Sequence, residues 1–134
     1  MKQVLLIATG GTIACRETEN GLSPALTGEE LLGLMPELNG ICSVGVSDLM
    51  NLDSTDLTAA DRAAIARTVW ENRGGYDGFV IAHGTDTLAY TAALLHHMLP
   101  NIDRPVVLTG SMLPIGVPCS DAPRNLADAF RVAA

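Results

Sequence analysis

Four short polar segments of this chain each follow directly after a run of apolar residues. They read TGGT (9–12), NLDSTD (51–56), HGTDT (83–87) and TGS (109–111). Every segment carries hydroxyl groups, and two of them also carry carboxylates. If the apolar runs are parallel strands, ligands bind beyond the carboxyl ends of those strands. The pattern therefore predicts one shared site, although serine, threonine and aspartate in any single segment are also typical of turns and helix caps.

A small zwitterion fits this predicted site better than a phosphate does. A phosphate-binding loop needs G-x-x-x-x-G-K-[ST] and a dinucleotide site needs G-x-G-x-x-G, and residues 9–12 match neither pattern. The carboxylates of the site would also repel a phosphate. Hydroxyl groups at a helix N-terminus can hold a carboxylate, and an aspartate can hold an ammonium group.

Thr12 is the candidate nucleophile of the site. A threonine hydroxyl attacks a carbonyl group when a base takes its proton and donors stabilise the oxyanion. Gly10 and Gly11 precede Thr12 and leave it sterically free to do so. From these residues alone, the alternative that Thr12 caps a helix or forms a turn stays open.

The segments that must position these groups alternate between strands and helices. Thr27 and Thr58, each with an acidic residue three positions later, predict helix starts, and Pro36 predicts a helix end. The predicted strands are 4–8, 44–50, 79–82 and 106–108, and two further helices are predicted at 88–99 and from 121 onward.

Strands with little polar alternation, separated by helices, indicate a parallel sheet that is covered on both faces. The predicted fold is α/β: one domain over residues 1–134, with a doubly wound, mainly parallel sheet in three α/β/α layers and the flavodoxin-like strand order. Residues 9–26 form a long connection, which is typical of a lid or binding loop, and Gly10, Gly11 and Gly21 could be its hinges.

The composition argues against several classes of protein. Apolar residues make up 48% and charged residues 17% of the 134 residues, as in globular proteins. A formal charge of −7 without a basic run argues against nucleic acid as a partner. The apolar run 4–8 is too short for a signal peptide or a membrane span, so we expect a cytoplasmic location and no membrane contact. The three cysteines predict reduced thiols, and we expect neither a metal nor another cofactor.

Four stretches of the chain resemble the bacterial L-asparaginases, and especially their cytoplasmic type I group. These stretches are ATGGTIA (8–14), LDSTDL (52–57), HGTDT (83–87) and RPVVLTGSMLP (104–114). Their spacing matches as well as their letters, and the resemblance covers essentially the whole chain. It implies the hydrolysis of L-asparagine to L-aspartate and ammonia through a covalent acyl-enzyme, in a homo-oligomer.

The resemblance also implies which residues take part in catalysis. Thr12 is then the nucleophile. Thr85 sits at the reacting amide, is activated by a lysine and positions or activates the attacking water, with Asp86 as its catalytic neighbour. Residues 9–26 are then the lid over the substrate.

The substrate-binding residues follow from the same resemblance. Ser54 and Thr55 are expected to hold the α-carboxylate of the substrate, and Asp86 is expected to hold its α-ammonium group. Gly11 and Gly84 are expected to line the same binding site.

Two departures from the family pattern affect the expected activity. Within residues 20–24 (NGLSP), Leu22 stands where type II enzymes have a tyrosine that assists the nucleophile. The family's catalytic lysine lies further along than residue 134, and Lys2, the sole lysine here, is expected at the opposite edge of the sheet. We therefore expect an N-terminal two-fifths of an asparaginase, cut before the lysine and the C-terminal domain, that is weakly active or inactive alone.

Two other functions compete with asparaginase activity. The first is the ammonia-producing subunit of a tRNA-dependent amidotransferase, which resembles this chain but has an extra domain ahead of the threonine-glycine motif. The second is a non-catalytic module that binds an amino acid, which the missing lysine favours.

The remaining polar and aromatic residues have predicted structural roles. His83 is expected to be a strand-end residue bonded to the backbone, with a role as a base as the alternative. Asp53 and Asp56 are expected to form turns, and Asp121 is expected to be a helix N-cap. Trp70 and Met98 are expected in the core or in an interface, and the helix 88–99 is expected to bury against a second subunit.

Overall fold

The computed structural model describes residues 1–19 and 21–134 as a sheet flanked by helices. The chain runs β1 (Gln3–Gly10), β2 (Cys15–Thr18), β3 (Gly21–Pro24), α1 (Gly28–Gly33), β4 (Ser43–Leu52), α2 (Ala59–Asn72), β5 (Gly78–Ala82), α3 (Leu88–Met98), β6 (Val106–Thr109) and α4 (Ala122–Ala133). Short 3-10 turns cover Thr12–Ala14, Pro36–Gly40 and Ser54–Asp56. Asn20, the first residue of the NGLSP stretch, lies outside the described residues.

The main sheet has the strand order β4-β1-β5-β6, and every neighbouring pair is parallel. Counted along the chain, these are the second, first, third and fourth strands of the sheet. This is the order in which a flavodoxin-like sheet begins. The predicted parallel α/β fold is therefore confirmed.

Two apolar layers cover the faces of this sheet. Leu5 and Ile7 of β1 pack on one face with side chains of α2 and α3, among them Ile65 and Leu95. The alternate residues of β1, such as Leu6, pack on the other face with side chains of α1 and α4. Because successive strand side chains point to opposite faces, the continuous apolar runs fill both layers.

Local hydrogen bonds begin α1 and α2 where the sequence predicted. The side chains of Thr27 and Thr58 accept from the amides of Glu30 and Asp61, and each acidic side chain bonds back to its threonine amide. These capping boxes satisfy amides that have no partner inside the helix.

The long connection predicted at residues 9–26 contains a β-hairpin. β2 and β3 pair in antiparallel fashion from Cys15–Pro24 to Thr18–Gly21, so most of the segment is a hairpin. The amides of Ala25 and Leu26 both donate to the carbonyl of Ala14, at 3.0 and 2.9 Å, and this closes the base of the hairpin. The sequence did not predict these two strands, and the role of residues 9–26 as a lid stays a prediction.

The structure also bears on the expected roles of Asp121, Trp70 and Met98. Asp121 occupies the N-cap position of α4 as expected, but its side chain caps no backbone amide of that helix. Its carboxylate accepts instead from the amides of Met112 and Leu113 and from the side chain of Asn125. Trp70 and Met98 were expected in the core or in an interface, and their exposures of 43% and 42% leave the interface as the expected role. In residues 1–19 and 21–134, no helix combines the length and apolarity needed to cross a bilayer.

Candidate functional site

The four polar segments meet at one edge of the main sheet. β1 ends at Gly10, which pairs with Leu52 at the end of β4. β5 ends at Ala82, which pairs with Ala8 of β1 on one side and with Thr109 of β6 on the other. Because these strands are parallel, the segments that follow them emerge side by side at the carboxyl edge.

Glycines allow the loops after β1, β4 and β5 to touch through their backbones. A β-carbon on Gly11 would lie 2.5 Å from Gly84 Cα, and a β-carbon on Gly84 would lie 2.7 Å from both Cβ and Oγ of Ser54. Gly11 also has φ near +80°, a conformation that L side chains disfavour. Its amide donates to the carbonyl of Leu52 at 3.1 Å. Glycine at positions 11 and 84 therefore sets how closely these loops approach one another.

The loop after β6 supports this arrangement. A β-carbon on Gly110 would lie 2.5 Å from His83 O and 3.2 Å from Thr85 Cγ2. Asn125 Nδ2 of α4 donates to the Gly110 carbonyl at 2.9 Å. Ser111 is 2% exposed and donates to the carbonyl of Leu113 within its own loop. The loop after β6 is thus held by its own bonds, and its Gly110 lies close to Thr85.

The two threonines of the TGGT segment have different surroundings. Thr9 is 1% exposed, and its hydroxyl donates to the carbonyl of Ala82 at 2.8 Å, which ties β1 to β5. Thr12 begins a 3-10 turn and is half-buried. Its hydroxyl makes no hydrogen bond to any residue that the structure describes. The Thr9 hydroxyl thus stabilises the fold, whereas the Thr12 hydroxyl is available for other contacts.

Ser54 and Thr55 lie in a 3-10 turn that Asp53 caps. Asp53 Oδ1 accepts from both the amide and the hydroxyl of Thr55, each at 2.8 Å, and these bonds hold the pKa of the Asp53 carboxyl below its usual range. Ser54 is 1% exposed, and its Oγ accepts from the amide of Thr87 at 3.3 Å. A serine that accepts in this way keeps its own proton to donate. The hydroxyl of Thr55, in contrast, donates its proton to Asp53.

Thr85 and Asp86 lie on the exposed side of the loop after β5. Neither side chain has a hydrogen-bond partner within residues 1–19 and 21–134. Their backbone neighbours are held firmly, since Gly84 is buried against Ser54. The loop therefore presents a hydroxyl and a carboxylate from a fixed base.

His83 is completely buried and bonded at both ring nitrogens. Nδ1 lies 2.6 Å from the carbonyl of Gly84, so Nδ1 carries the proton, and Nε2 lies 2.8 Å from Thr91 Oγ1. Burial lowers the pKa of His83, and the positive charge of Arg62 lowers it further, while the bond to Gly84 acts in the opposite direction. The neutral ring is a structural part of the strand end, as the sequence predicted, and its nitrogens face the protein interior.

Arg62 also belongs to this region, although no sequence pattern pointed to it. It lies in the first turn of α2, and its side chain reaches Thr87 in the loop after β5. An arginine near a helix start carries no motif that would mark it as part of a site. The contact depends on how α2 packs beside α3, which no short sequence pattern encodes.

Lys2 lies at the opposite edge of the sheet, as expected. Its Nζ makes an exposed ion pair of 3.1 Å with Asp77, just ahead of β5, and it precedes the first residue of β1. Within the described residues, no three His, Cys, Asp or Glu side chains come together as metal ligands.

Comparisons with known proteins identify a family model and several relatives that match this chain. The family model described as "Asparaginase, N-terminal" matches residues 3–134. The L-asparaginase of Thermococcus kodakarensis is 48% identical over an alignment 136 residues long, which covers 98% of this chain and 40% of that protein. The solved structure of the thermostable L-asparaginase from Thermococcus kodakarensis superimposes with a TM-score of 0.87 and 47% identity, over 98% of this chain and 40% of that one.

A second kind of relative matches somewhat less well. A glutamyl-tRNA(Gln) amidotransferase subunit of Pyrococcus abyssi is 43% identical over an alignment 137 residues long, which covers 99% of this chain and 31% of that protein. The chain thus spans about 40% of the length of the asparaginases that it matches and less of the amidotransferase protein.

Proposed function

Because this chain belongs to the asparaginase family, whose N-terminal domain residues 3–134 match, we propose that it forms the amino-acid site of an L-asparaginase. The observation that carries the proposal is the single edge where Thr12, Ser54, Thr85 and Asp86 stand on loops in backbone contact. The reaction is the hydrolysis of L-asparagine to L-aspartate and ammonia.

Thr12 is the nucleophile in this proposal. Its oxygen bonds to the side-chain amide carbon of asparagine, the carbon–nitrogen bond breaks, and the nitrogen leaves as ammonia after it takes up a proton. Water then attacks the resulting ester, which releases L-aspartate and returns the proton to Thr12. The free hydroxyl of Thr12, in contrast to the bonded hydroxyl of Thr9, supports this assignment.

The other site residues orient the substrate and the water. Ser54 donates to the α-carboxylate, and Asp86 accepts from the α-ammonium group. Thr85 lies beside the reacting amide and positions the water. Thr55 contributes less than the sequence resemblance implies, because its amide and hydroxyl both donate to Asp53.

We further propose that these 134 residues bind the amino acid but turn it over poorly. Asparaginase chemistry needs a lysine beside Thr85 and Asp86, and Lys2 pairs with Asp77 at the other edge of the sheet. The chain also spans only about 40% of its asparaginase relatives.

A turnover assay on the 134-residue chain tests this part. We expect L-asparagine to yield ammonia no faster with the wild-type chain than with Thr12→Ala. Robust ammonia release that depends on Thr12 would refute it. The protein isolated from its source is assayed in parallel, and its intact mass is compared with 14.0 kDa.

The amidotransferase is the second candidate function, because a 43% identical relative bears that name. Hydrolysis of free L-asparagine by the source protein, without a partner protein or tRNA, favours the asparaginase. Hydrolysis that appears only with a partner and charged tRNA favours the amidotransferase. Binding of L-aspartate without turnover in the source protein favours a non-catalytic module.

We also propose that the complete protein self-associates through the exposed face of α3. Tyr90, Leu94 and Met98 recur every four residues on this helix and are 70%, 40% and 42% exposed, and Trp70 of α2 adjoins Met98. An apolar stripe of this kind is typical of an interface. Leu94→Glu should lower the mass measured by sedimentation velocity, and an unchanged mass would refute the stripe as the interface. The cytoplasmic location stays a prediction.

A further inference from the structure

Arg62 bonds to four oxygens around the base of the candidate site. Its Nη1 donates to the carbonyl of Leu57 at 2.7 Å and to that of Thr58 at 3.4 Å. Its Nη2 donates to Thr87 Oγ1 at 3.0 Å, and its Nε donates to Thr91 Oγ1 at 2.9 Å. One planar side chain therefore joins the start of α2 to both the N-cap and the first turn of α3.

All four of these acceptors are uncharged. Within residues 1–19 and 21–134, Arg62 has no carboxylate within ion-pair distance, whereas five other ion pairs are present there. The charge of Arg62 still acts on Asp61, whose pKa is lowered by hydrogen bonds from Thr58 and further by Arg62. The direct contacts of Arg62 are therefore hydrogen bonds to neutral oxygens, and their geometry is what it contributes to the loop after β5.

The first chain of bonds from Arg62 leads to Ser54. Thr87 Oγ1 accepts from Arg62 Nη2 and donates its own proton to the carbonyl of Ser54 at 2.7 Å. The amide of Thr87 donates to Ser54 Oγ at 3.3 Å. Two bonds thus hold Thr87 against the turn that carries Ser54, and Arg62 fixes the direction of one of them.

The second chain of bonds leads to Gly84. Thr91 Oγ1 accepts from Arg62 Nε, so its proton goes to His83 Nε2, which has no proton of its own. His83 Nδ1 in turn donates to the carbonyl of Gly84 at 2.6 Å. Thr91 and His83 are both completely buried, so water does not compete for these bonds.

We propose that Arg62 is the positioning residue of this site, which clamps the Gly84–Thr87 loop at both ends and sets its distance from Ser54. The ligand in this inference is taken from the proposed function. The clamp itself is argued from the observed hydrogen bonds alone. The clamp matters because Thr85 and Asp86 lie between the two held ends and have no side-chain bonds of their own to the described residues. Arg62 touches none of the reacting atoms, so its effect on the ligand is indirect.

Arginine suits this position better than lysine does. Two adjacent nitrogens of one rigid guanidinium serve Thr87 and Thr91, because Nε and Nη2 donate in fixed directions. A lysine ammonium supplies a similar charge from a single point and cannot reproduce that fork. Arg62→Lys therefore separates the geometry of the clamp from its charge.

The clamp is tested by measuring the hydrogen exchange of the residue 87 amide by NMR. Each protein is measured at the same number of degrees below its own melting temperature. We expect Arg62→Lys and Arg62→Gln to exchange this amide about tenfold faster than the wild-type chain, because its bond to Ser54 loses support. Ile65→Val is the matched control, since it destabilises the buried face of α2 without touching the clamp. It should leave the exchange of residue 87 unchanged under those conditions.

Thr87→Val is a second variant in case the Arg62 variants do not fold. It removes the hydroxyl between Arg62 and Ser54, keeps the side-chain volume and keeps the reporting amide. We expect the same acceleration, and Thr87→Ser should restore wild-type exchange. Wild-type exchange in Arg62→Lys, or in Thr87→Val where the Arg62 variants do not fold, would overturn the inference.

Titration with L-aspartate separates this inference from the proposed function. If the wild-type chain binds L-aspartate, the two Arg62 variants should bind it about tenfold more weakly, and Ile65→Val should bind it normally. Equal affinity of the wild-type chain and Arg62→Lys for L-aspartate would overturn the inference that Arg62 positions the loop. Absence of saturable binding by the wild-type chain would instead refute the proposed function, and the exchange of residue 87 would still decide the role of Arg62.

Discussion

Gly11 and Gly84 are in backbone contact at the carboxyl edge of the sheet, where a β-carbon on Gly11 would lie 2.5 Å from Gly84 Cα. This contact brings the loop that carries Thr12 against the loop that carries Thr85. The residues of the candidate site are therefore joined by main chain, and their spacing depends on two positions where a side chain has no room.

We predict that Gly11→Ala destabilises the fold and loosens the site. The positive φ of Gly11 alone costs a side chain about 1–3 kcal/mol, and the clash with Gly84 adds to this. Urea unfolding at neutral pH measures the loss. Gly33→Ala is the control, because a β-carbon there meets nothing within 4 Å. Equal stability of Gly11→Ala and wild type would contradict the backbone contact.

Thr9 and Thr12 should respond differently to the same substitution. Thr9→Val removes a buried bond of 2.8 Å to the Ala82 carbonyl and should cost about 1–2 kcal/mol of unfolding free energy. Thr12→Val should leave stability within about 0.5 kcal/mol of wild type, since its hydroxyl bonds to no described residue. Urea unfolding of both variants provides the comparison. A larger loss at Thr12 than at Thr9 would mean that Thr12 is structural.

Much of the fold could be predicted because its signals are local. The capping boxes at Thr27 and Thr58 use residues only three positions apart, and the buried strands are short apolar runs. The common edge of the four polar segments could be predicted too, because parallel strands bring their carboxyl ends to one edge whatever the loops contain.

The rest had no local pattern strong enough to predict it. The hairpin from Cys15 to Pro24 pairs residues close in sequence, but its strands lack the alternation of apolar and polar residues that predicts a strand. Asp121 bonds to Met112 and Leu113, a partnership that only the loop after β6 creates. Arg62 acquires its role from helix packing, and its own neighbours in sequence give no sign of it.

Asp86 should contribute to ligand affinity without contributing to stability. Because it is exposed and its side chain bonds to no described residue, Asp86→Asn should unfold like wild type but bind L-aspartate about tenfold more weakly. Succinate lacks the ammonium group, so its binding should be no weaker in the variant than in wild type. Calorimetric titration with both ligands measures this difference, and Asp56→Asn controls for the loss of one exposed charge. A similar loss of affinity for both ligands would show that Asp86 does not bind the ammonium group.

The buried His83 should make stability depend on pH. Its pKa is lowered in the folded chain, so the unfolded chain takes up a proton first as the pH falls below about 6.5. The free energy of unfolding should therefore fall from about pH 7.5 to about pH 5.5, above the range in which the aspartates titrate. Urea midpoints should show a smaller fall in His83→Gln than in wild type, while His96→Gln, on the exposed side of α3, should behave like wild type. An equal fall in His83→Gln would contradict the buried neutral ring.

The central claim is that this edge of the sheet binds an amino acid, and an NMR titration of the ¹⁵N-labelled chain with L-aspartate tests it most directly. We predict saturable shift changes at Gly11, Thr12, Ser54, Thr85 and Asp86, and a midpoint at about tenfold higher L-aspartate when Asp86→Asn is titrated. Changes confined to the exposed face of α3, or none at saturating L-aspartate, would contradict the account.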